Sequence, residues 1–293
     1  MKTIIVATDF SPASRNAAAY AVHLARAFHS KLILLNAFVQ PPVPVTKPFA
    51  IVDTHDLQEV VLQQLNNETE MLDPQAEQVI RVEARQGSAV HCVMEAVKEH
   101  HADLVVLGLK DENRIVKKLP GSTISGLMHS GHCPLLVVPE DARYNGVDTL
   151  TLAYEGDLYP DDDKHVADAL LQLAHRFHSR LYLIHIAKTE LQEVYQVFNK
   201  PLRLTRLMHT VQPVVETIRS ASVPEAIDRF VKEHRVNILA MMPQKKTGLR
   251  RIFESSNTRN VTFRSSIPVL MLPGYHEGRN LWWSKRLRSK SAL

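Results

Sequence analysis

A chain of 293 residues with 45% hydrophobic and 23% charged side chains is long enough for two ordinary domains and too apolar for intrinsic disorder. No apolar run approaches the roughly 18–20 residues that span a bilayer, the first run stops at Asp9, too early for a secretory leader, and only Cys92 and Cys133 occur, which suits a reducing cytoplasm. The net charge of +4 resides wholly after Pro273, where Arg279, Lys285, Arg286, Arg288 and Lys290 face only Glu277, so the balanced body argues against nucleic acid as a partner.

Ile4 to Thr8 is a short unalternated apolar run, the pattern of a central parallel strand covered on both faces. Ser11-Pro12 then supplies an N-cap and a proline at the first helical position, opening an alanine-rich helix over 13–28. Leu32–Asn36 predicts a strand, and 40–53, with four prolines, a loop or flap. A helix over 57–72, a strand over 79–84, a helix capped by Ser88 and running to His101, and a strand over 104–108 follow. A short helix over 122–130 and a last strand over 135–138 complete the series. Strands and helices alternate throughout, which predicts a doubly wound parallel sheet of five strands.

The series then repeats. Phe28-His29-Ser30-Lys31-Leu32 returns as Phe177-His178-Ser179-Arg180-Leu181, an offset of 149. Lys98-Glu99-His100 returns as Lys232-Glu233-His234, and Pro134–Pro139 as Pro268–Pro273, both at 134. A period this long indicates a duplicated domain, since solenoid units run to about 20–50 residues. The 15-residue difference falls where the second copy lacks the proline-rich flap. Domains are expected at 1–141 and 148–273, joined by a linker over 140–147 and followed by a basic tail, 274–293. Second-copy strands are expected at 149–154, 181–186, 214–218, 238–242 and 269–272, with helices near 163–178, 190–209, 222–235 and 256–263.

In an open parallel sheet, ligands bind beyond the carboxyl ends of the strands where strand order reverses. That rule gathers Thr8-Asp9, Asn36-Ala37 and Gly108 around one crevice, with Gly121-Ser122-Thr123 opening a helix nearby. A helix start presents unpaired N–H groups and a positive dipole end to an anion, and Asp9 is placed to accept from a ribose hydroxyl or to hold a metal ion.

These residues resemble the universal stress protein family, and specifically its tandem two-domain members. Val6-Ala7-Thr8-Asp9-Phe10-Ser11 is similar to the family's first strand and turn, and 108–139 to its glycine-containing nucleotide motif. Gly108 matches the first motif glycine, Gly121 and Ser122 its end, and Asp111 stands where the second glycine belongs. The resemblance implies two Rossmann-like (adenine nucleotide alpha hydrolase-like) sheets paired as a pseudo-dimer through Leu135–Val138 and Val269–Leu272. It also implies ATP or another adenine nucleotide as ligand, with Mg²⁺. Thr8 and Asp9 would face ribose and metal, Ala37 the adenine, and Gly108, Asp111, Gly121, Ser122 and Thr123 the phosphates. In the second copy the three glycine positions become Met242, Lys245 and Ser255, and Glu155 replaces Asp9, so that site is degraded.

Three functions stay open: a cytoplasmic ligand-sensing module of the stress response, a scaffold that binds no nucleotide and acts through an unknown protein partner, and a slow Mg²⁺-dependent ATP hydrolase. No catalytic constellation is evident. His100 and His234 close equivalent helices, where a cation meets the negative dipole end, so the fifteen histidines do not require a metal. Cys92 is read as a small core residue, and His185 as a half-buried strand histidine rather than a base. Trp282-Trp283 and the basic residues after them suit an acidic membrane surface, but an end segment packed on the body or disordered is the preferred reading.

Overall fold

A computed structural model describes residues 1–40, 54–72, 80–110, 122–130, 133–154, 167–190, 205, 208–241 and 266–273. The first half contains β1 (Thr3–Ala7), α1 (Pro12–Phe28), β2 (Lys31–Phe38), α2 (Thr54–Leu72), β3 (Ile80–Gln86), α3 (Ala89–Glu99), β4 (Leu104–Leu109), α4 (Ser122–Ser130) and β5 (Leu135–Pro139). The second contains β6 (Thr149–Ala153), α5 (Asp168–Phe177), β7 (Arg180–Ala187), β8 (Val214–Arg219), α6 (Val223–Glu233), β9 (Ile238–Met241) and β10 (Val269–Met271). The expected flap and basic tail, and the helix over 256–263, lie outside the described residues; of the helix over 190–209 they include little beyond the start of a 3₁₀ turn, His209–Val211.

The strands form one sheet in the order β3-β2-β1-β4-β5-β10-β9-β6-β7-β8. Within each half every pairing is parallel. The halves meet at one antiparallel seam, Val269 opposite Val137, Leu270 opposite Leu136 and Met271 opposite Leu135. The two five-stranded sheets expected from the repeat are therefore halves of a single ten-stranded sheet, joined through the expected strands. Continuity follows from burial. The seam residues are all buried, with Leu136 and Leu270 on one face and their neighbours on the other, so both faces keep an apolar floor across the joint.

The local signals act as expected. Ser11 is extended and its side chain accepts from Ser14 N, Pro12 takes the first turn of α1, and Ser88 caps α3 through His91 N. Ala17, Ala18, Ala21 and Ala25 turn small side chains to the sheet and let α1 lie close to it. The duplication extends to unusual backbone: His29 and His178 both adopt left-handed conformations, φ 52°, after their helices, and His101 and Arg235 do so at φ 51° and 50°. The repeated phenylalanines meet across the pseudo-twofold axis, Phe28 and Phe177 packing edge to face at 5.9 Å.

The outer strand β3 reaches Gln86, beyond the expected end at 84, because it pairs with β2 as far as Phe38. Its charged side chains make a network rather than an open edge: Glu83 accepts from Arg85 at 2.6 Å, and Arg85 also reaches Glu99 at 2.7 Å. His100 caps α3, and its Nε2 lies 2.7 Å from Glu83, so a carboxylate joins the helix end as its partner. The equivalent His234 stacks on Phe230 at 4.0 Å instead. One position thus serves a polar edge in one half and an aromatic cluster in the other.

Candidate functional site

Strand order reverses between β1 and β4, and the residues just beyond their carboxyl ends form the crevice. Thr8 continues the β1 ladder by donating its N–H to Leu35 O at 2.9 Å. Asn36 on β2 donates from Nδ2 to Thr8 O at 2.8 Å and so fixes the end of β1 against its neighbour. Asp9 projects from the turn. Its Oδ1 accepts from Ser11 N at 3.1 Å, and its Oδ2 lies 3.1 Å from Lys110 Nζ, an ion pair that spans the reversal from β1 to the end of β4. Burial alone would raise the Asp9 pKa, but hydrogen bonds from Ser11, Lys110 and Ser14 outweigh it and pull the group down to about 2. Asp9 is thus a permanent anion at the mouth of the crevice, and Lys110 a cation held beside it.

The Thr8 hydroxyl points inward. It lies 3.0 Å from Ser14 Oγ and 3.2 Å from Glu68 Oε1, and it accepts from Phe10 N at 3.0 Å. Ser14 in turn donates to Ser11 O at 3.0 Å. Glu68 comes from α2 and is 4% exposed. A threonine hydroxyl has one proton to give and two lone pairs. Thr8 therefore gives its proton to Glu68 or to Ser14 while accepting from Phe10 N, and Ser14 gives its own to the Ser11 carbonyl. Burial pushes the Glu68 pKa up, and Asp9 adds to the shift, while the Thr8 hydrogen bond and Arg15 oppose it. Phe10, whose amide enters this cluster, has φ 62°, a left-handed conformation rare for an aromatic residue.

The structure therefore brings together Thr8, Asp9, Asn36 and Lys110 and adds Ser14 and Glu68. Sequence reasoning missed Glu68 because it lies 60 residues from Thr8, on a helix whose packing only the fold reveals. A glutamate among the inward-facing residues of a predicted helix was the available signal. Lys110 has a defined partner in Asp9. Ala37 lies in β2 opposite Arg85. Thr123 occupies the first turn of α4, with no hydrogen bond to this group among the described residues. Ser122 begins that helix, and Asp111 and Gly121 lie outside the described residues.

Gly108 has a packing role in the fold. A Cβ there would lie 2.4 Å from Ala13 C and 2.6 Å from Ser14 N. The missing side chain lets the first turn of α1 rest on β4, which is the helix-packing use of glycine in nucleotide-binding folds.

The second half repeats the framework with other chemistry. Tyr154 takes the place of Thr8, donating its N–H to Ile184 O at 3.0 Å, and is buried in the core. His185, the counterpart of Asn36, lies inside β7 with Nδ1 3.3 Å from Tyr154 O, which implies the Nδ1–H tautomer. It is a buried structural histidine. A phenol and an imidazole thus stand where the first half has a hydroxyl and an amide.

A family model, "Universal stress protein family", matches residues 1–139 and 157–273. The chain belongs to the universal stress protein family. A universal stress protein of Methanocaldococcus jannaschii is 24% identical over 149 residues, 48% of this chain and 84% of that protein. Among solved structures, a universal stress protein from Archaeoglobus fulgidus DSM 4304 has TM-score 0.65 at 16% identity, covering 92% of this chain and 97% of that one. A protein of unknown function from Pseudomonas aeruginosa PAO1 has TM-score 0.58 at 14% identity, covering 99% and 98%. At these identities the solved structures establish the tandem universal stress protein fold. No described helix is long and apolar enough to cross a membrane.

Proposed function

We propose that this universal stress protein binds an adenine nucleotide in its first-half crevice and acts as a cytoplasmic ligand-sensing module. The observation that carries the reading is the Asp9–Lys110 pair, 3.1 Å apart across the strand reversal. It offers an ionised acceptor for ribose hydroxyls and a cation for phosphate in the same place. Thr123 and the start of α4 extend the donors on the phosphate side. Mg²⁺ would enter with the phosphates and meet Asp9 at the mouth of the crevice. Asp9, Lys110 and Thr123 would supply the binding groups of a sensing site.

A second reading has its own support. Thr8 is committed to Ser14 and Glu68, and Asp9 and Lys110 already neutralise each other, so the site is satisfied without ligand. On that reading the chain is a scaffold acting through protein contacts. Calorimetric titration of the full chain with MgATP separates the two. Saturable heat that Gly121→Asp abolishes supports sensing, and no heat at millimolar nucleotide leaves the scaffold.

A further inference from the structure

Where the connector leaves β5, on the side of the sheet that carries the carboxyl ends of the first-half strands and the amino ends of β9 and β10, the two halves enclose a hollow of about 540 Å³. Its accessible apolar surface comes from the half-buried Val231 on α6 and Ile267 before β10, with Tyr20, Ala142, Val236 and Pro268 buried behind them. Ligand sites of small molecules occupy roughly 300–1,000 Å³, favour domain junctions, and combine an apolar lining with a few convergent polar groups. This hollow meets each condition.

Its charge is specific to this junction. Arg143, Lys232, Arg235 and Asp141 line it. Lys232 is paired to Asp228 at 2.7 Å, and its repeat counterpart Lys98 shows that a lysine here belongs to the helix end. The two arginines have no such explanation. Arg143 is fixed, its Nη1 donating to Asn16 Oδ1 at 3.1 Å and to Glu140 O at 3.2 Å. Arg235 has His101 as its counterpart, and its guanidinium has no hydrogen bond or ion pair among the described residues. Counting Asp141 and Asp228 against the three bases leaves one positive charge. A planar guanidinium with free N–H donors pairs best with a planar carboxylate.

We propose that this junction hollow binds a small monocarboxylate with an apolar or aromatic body, its carboxylate on Arg235 and its body against Val231 and Ile267. The site is independent of the first-half crevice and of any nucleotide there. The test titrates the full-length chain with phenylacetate, following amide chemical shifts, with benzyl alcohol and phenyl phosphate as the neutral and doubly charged comparisons. Phenylacetate is expected to bind saturably at millimolar concentration, more tightly than either comparison, and to shift the amides of Asn145, Gly146 and Ser266. Arg235→Asn, chosen because asparagine tolerates the left-handed backbone at φ 50°, is expected to weaken binding at least about tenfold while the spectrum stays folded. Lys232→Gln, which takes Asp228's partner away and leaves the free guanidinium, is expected to change affinity far less. The proposal is overturned by absence of saturable binding, by equal binding to Arg235→Asn, by shifts confined to the Thr8–Lys110 crevice, or by preference for phenyl phosphate.

Discussion

Two glycines of the first half give opposite expectations for the same substitution. At Gly108 a Cβ would lie 2.4 Å from Ala13 C, 2.5 Å from Ala13 O and 2.6 Å from Ser14 N, all backbone atoms of the first turn of α1. None can move without shifting a helix that is packed on β4 and β5 and capped by Ser11. Overpacking a well-filled core costs about 1–3 kcal/mol, and a clash with backbone belongs at the upper end, about 3 kcal/mol for Gly108→Ala. At Gly126 the nearest atoms, at 2.6 and 3.1 Å, are the two methyls of half-buried Val90, side-chain atoms that can give way by a shift between α3 and α4 where backbone cannot. Alanine inside α4 also gains roughly 1 kcal/mol of helix propensity over glycine, so Gly126→Ala should fall within about 1 kcal/mol of the parent. Urea unfolding of both variants, followed by circular dichroism, measures the difference as a shift in midpoint at unchanged slope. Equal midpoints, or a Gly108→Ala loss below about 0.5 kcal/mol, would refute the packing role assigned to Gly108 and return it to the ligand.

Other expectations concern charge and symmetry. Asp9 titrates near 2 in the folded chain against an ordinary value of 3.8, so its contribution is complete above pH 3.8 and disappears as pH falls through about 2. Asp9→Asn should flatten the acid limb of the stability curve by less than about 1 kcal/mol, because the pair with Lys110 is solvent-exposed; an unchanged acid limb contradicts the hydrogen bonds given to Asp9. Glu68 has the opposite sign. With its pKa raised above the ordinary 4.5, the ionised form is penalised in the fold, so Glu68→Gln should be the more stable protein at pH 8. That advantage should shrink as pH falls and vanish below about 4.5, and a variant weaker than the parent at pH 8 would show that burial does not penalise this carboxylate. A double-mutant cycle on Phe28→Ala and Phe177→Ala should give a coupling of about 0.5–1.5 kcal/mol, whereas additive losses would mean that the rings do not meet across the axis.

The fold was legible because its signals are local or repeated. Unalternated runs such as Ile4–Val6 and Leu104–Leu107 can only be strands buried on both faces, and Ser11-Pro12 and Ser88 mark helix starts through backbone chemistry. The seam was an expectation of the family resemblance, with the duplication supplying both copies of the closing strand in one chain. What escaped was set by tertiary contact. Nothing in the chain around Gly108 tells that the Ala13 backbone lies against it, nor that Glu68 would reach Thr8. His100 was placed correctly at a helix end, but its partner Glu83 arrives from a strand whose register the sequence does not reveal.

The account rests on one half of the sheet keeping a nucleotide crevice while Tyr154 and His185 fill the other. Native mass spectrometry of the full chain with MgATP counts the bound nucleotides directly. One nucleotide per chain, lost in Gly121→Asp and retained in Tyr154→Phe, is the predicted result. Two nucleotides per chain, or none at millimolar concentration, would contradict it.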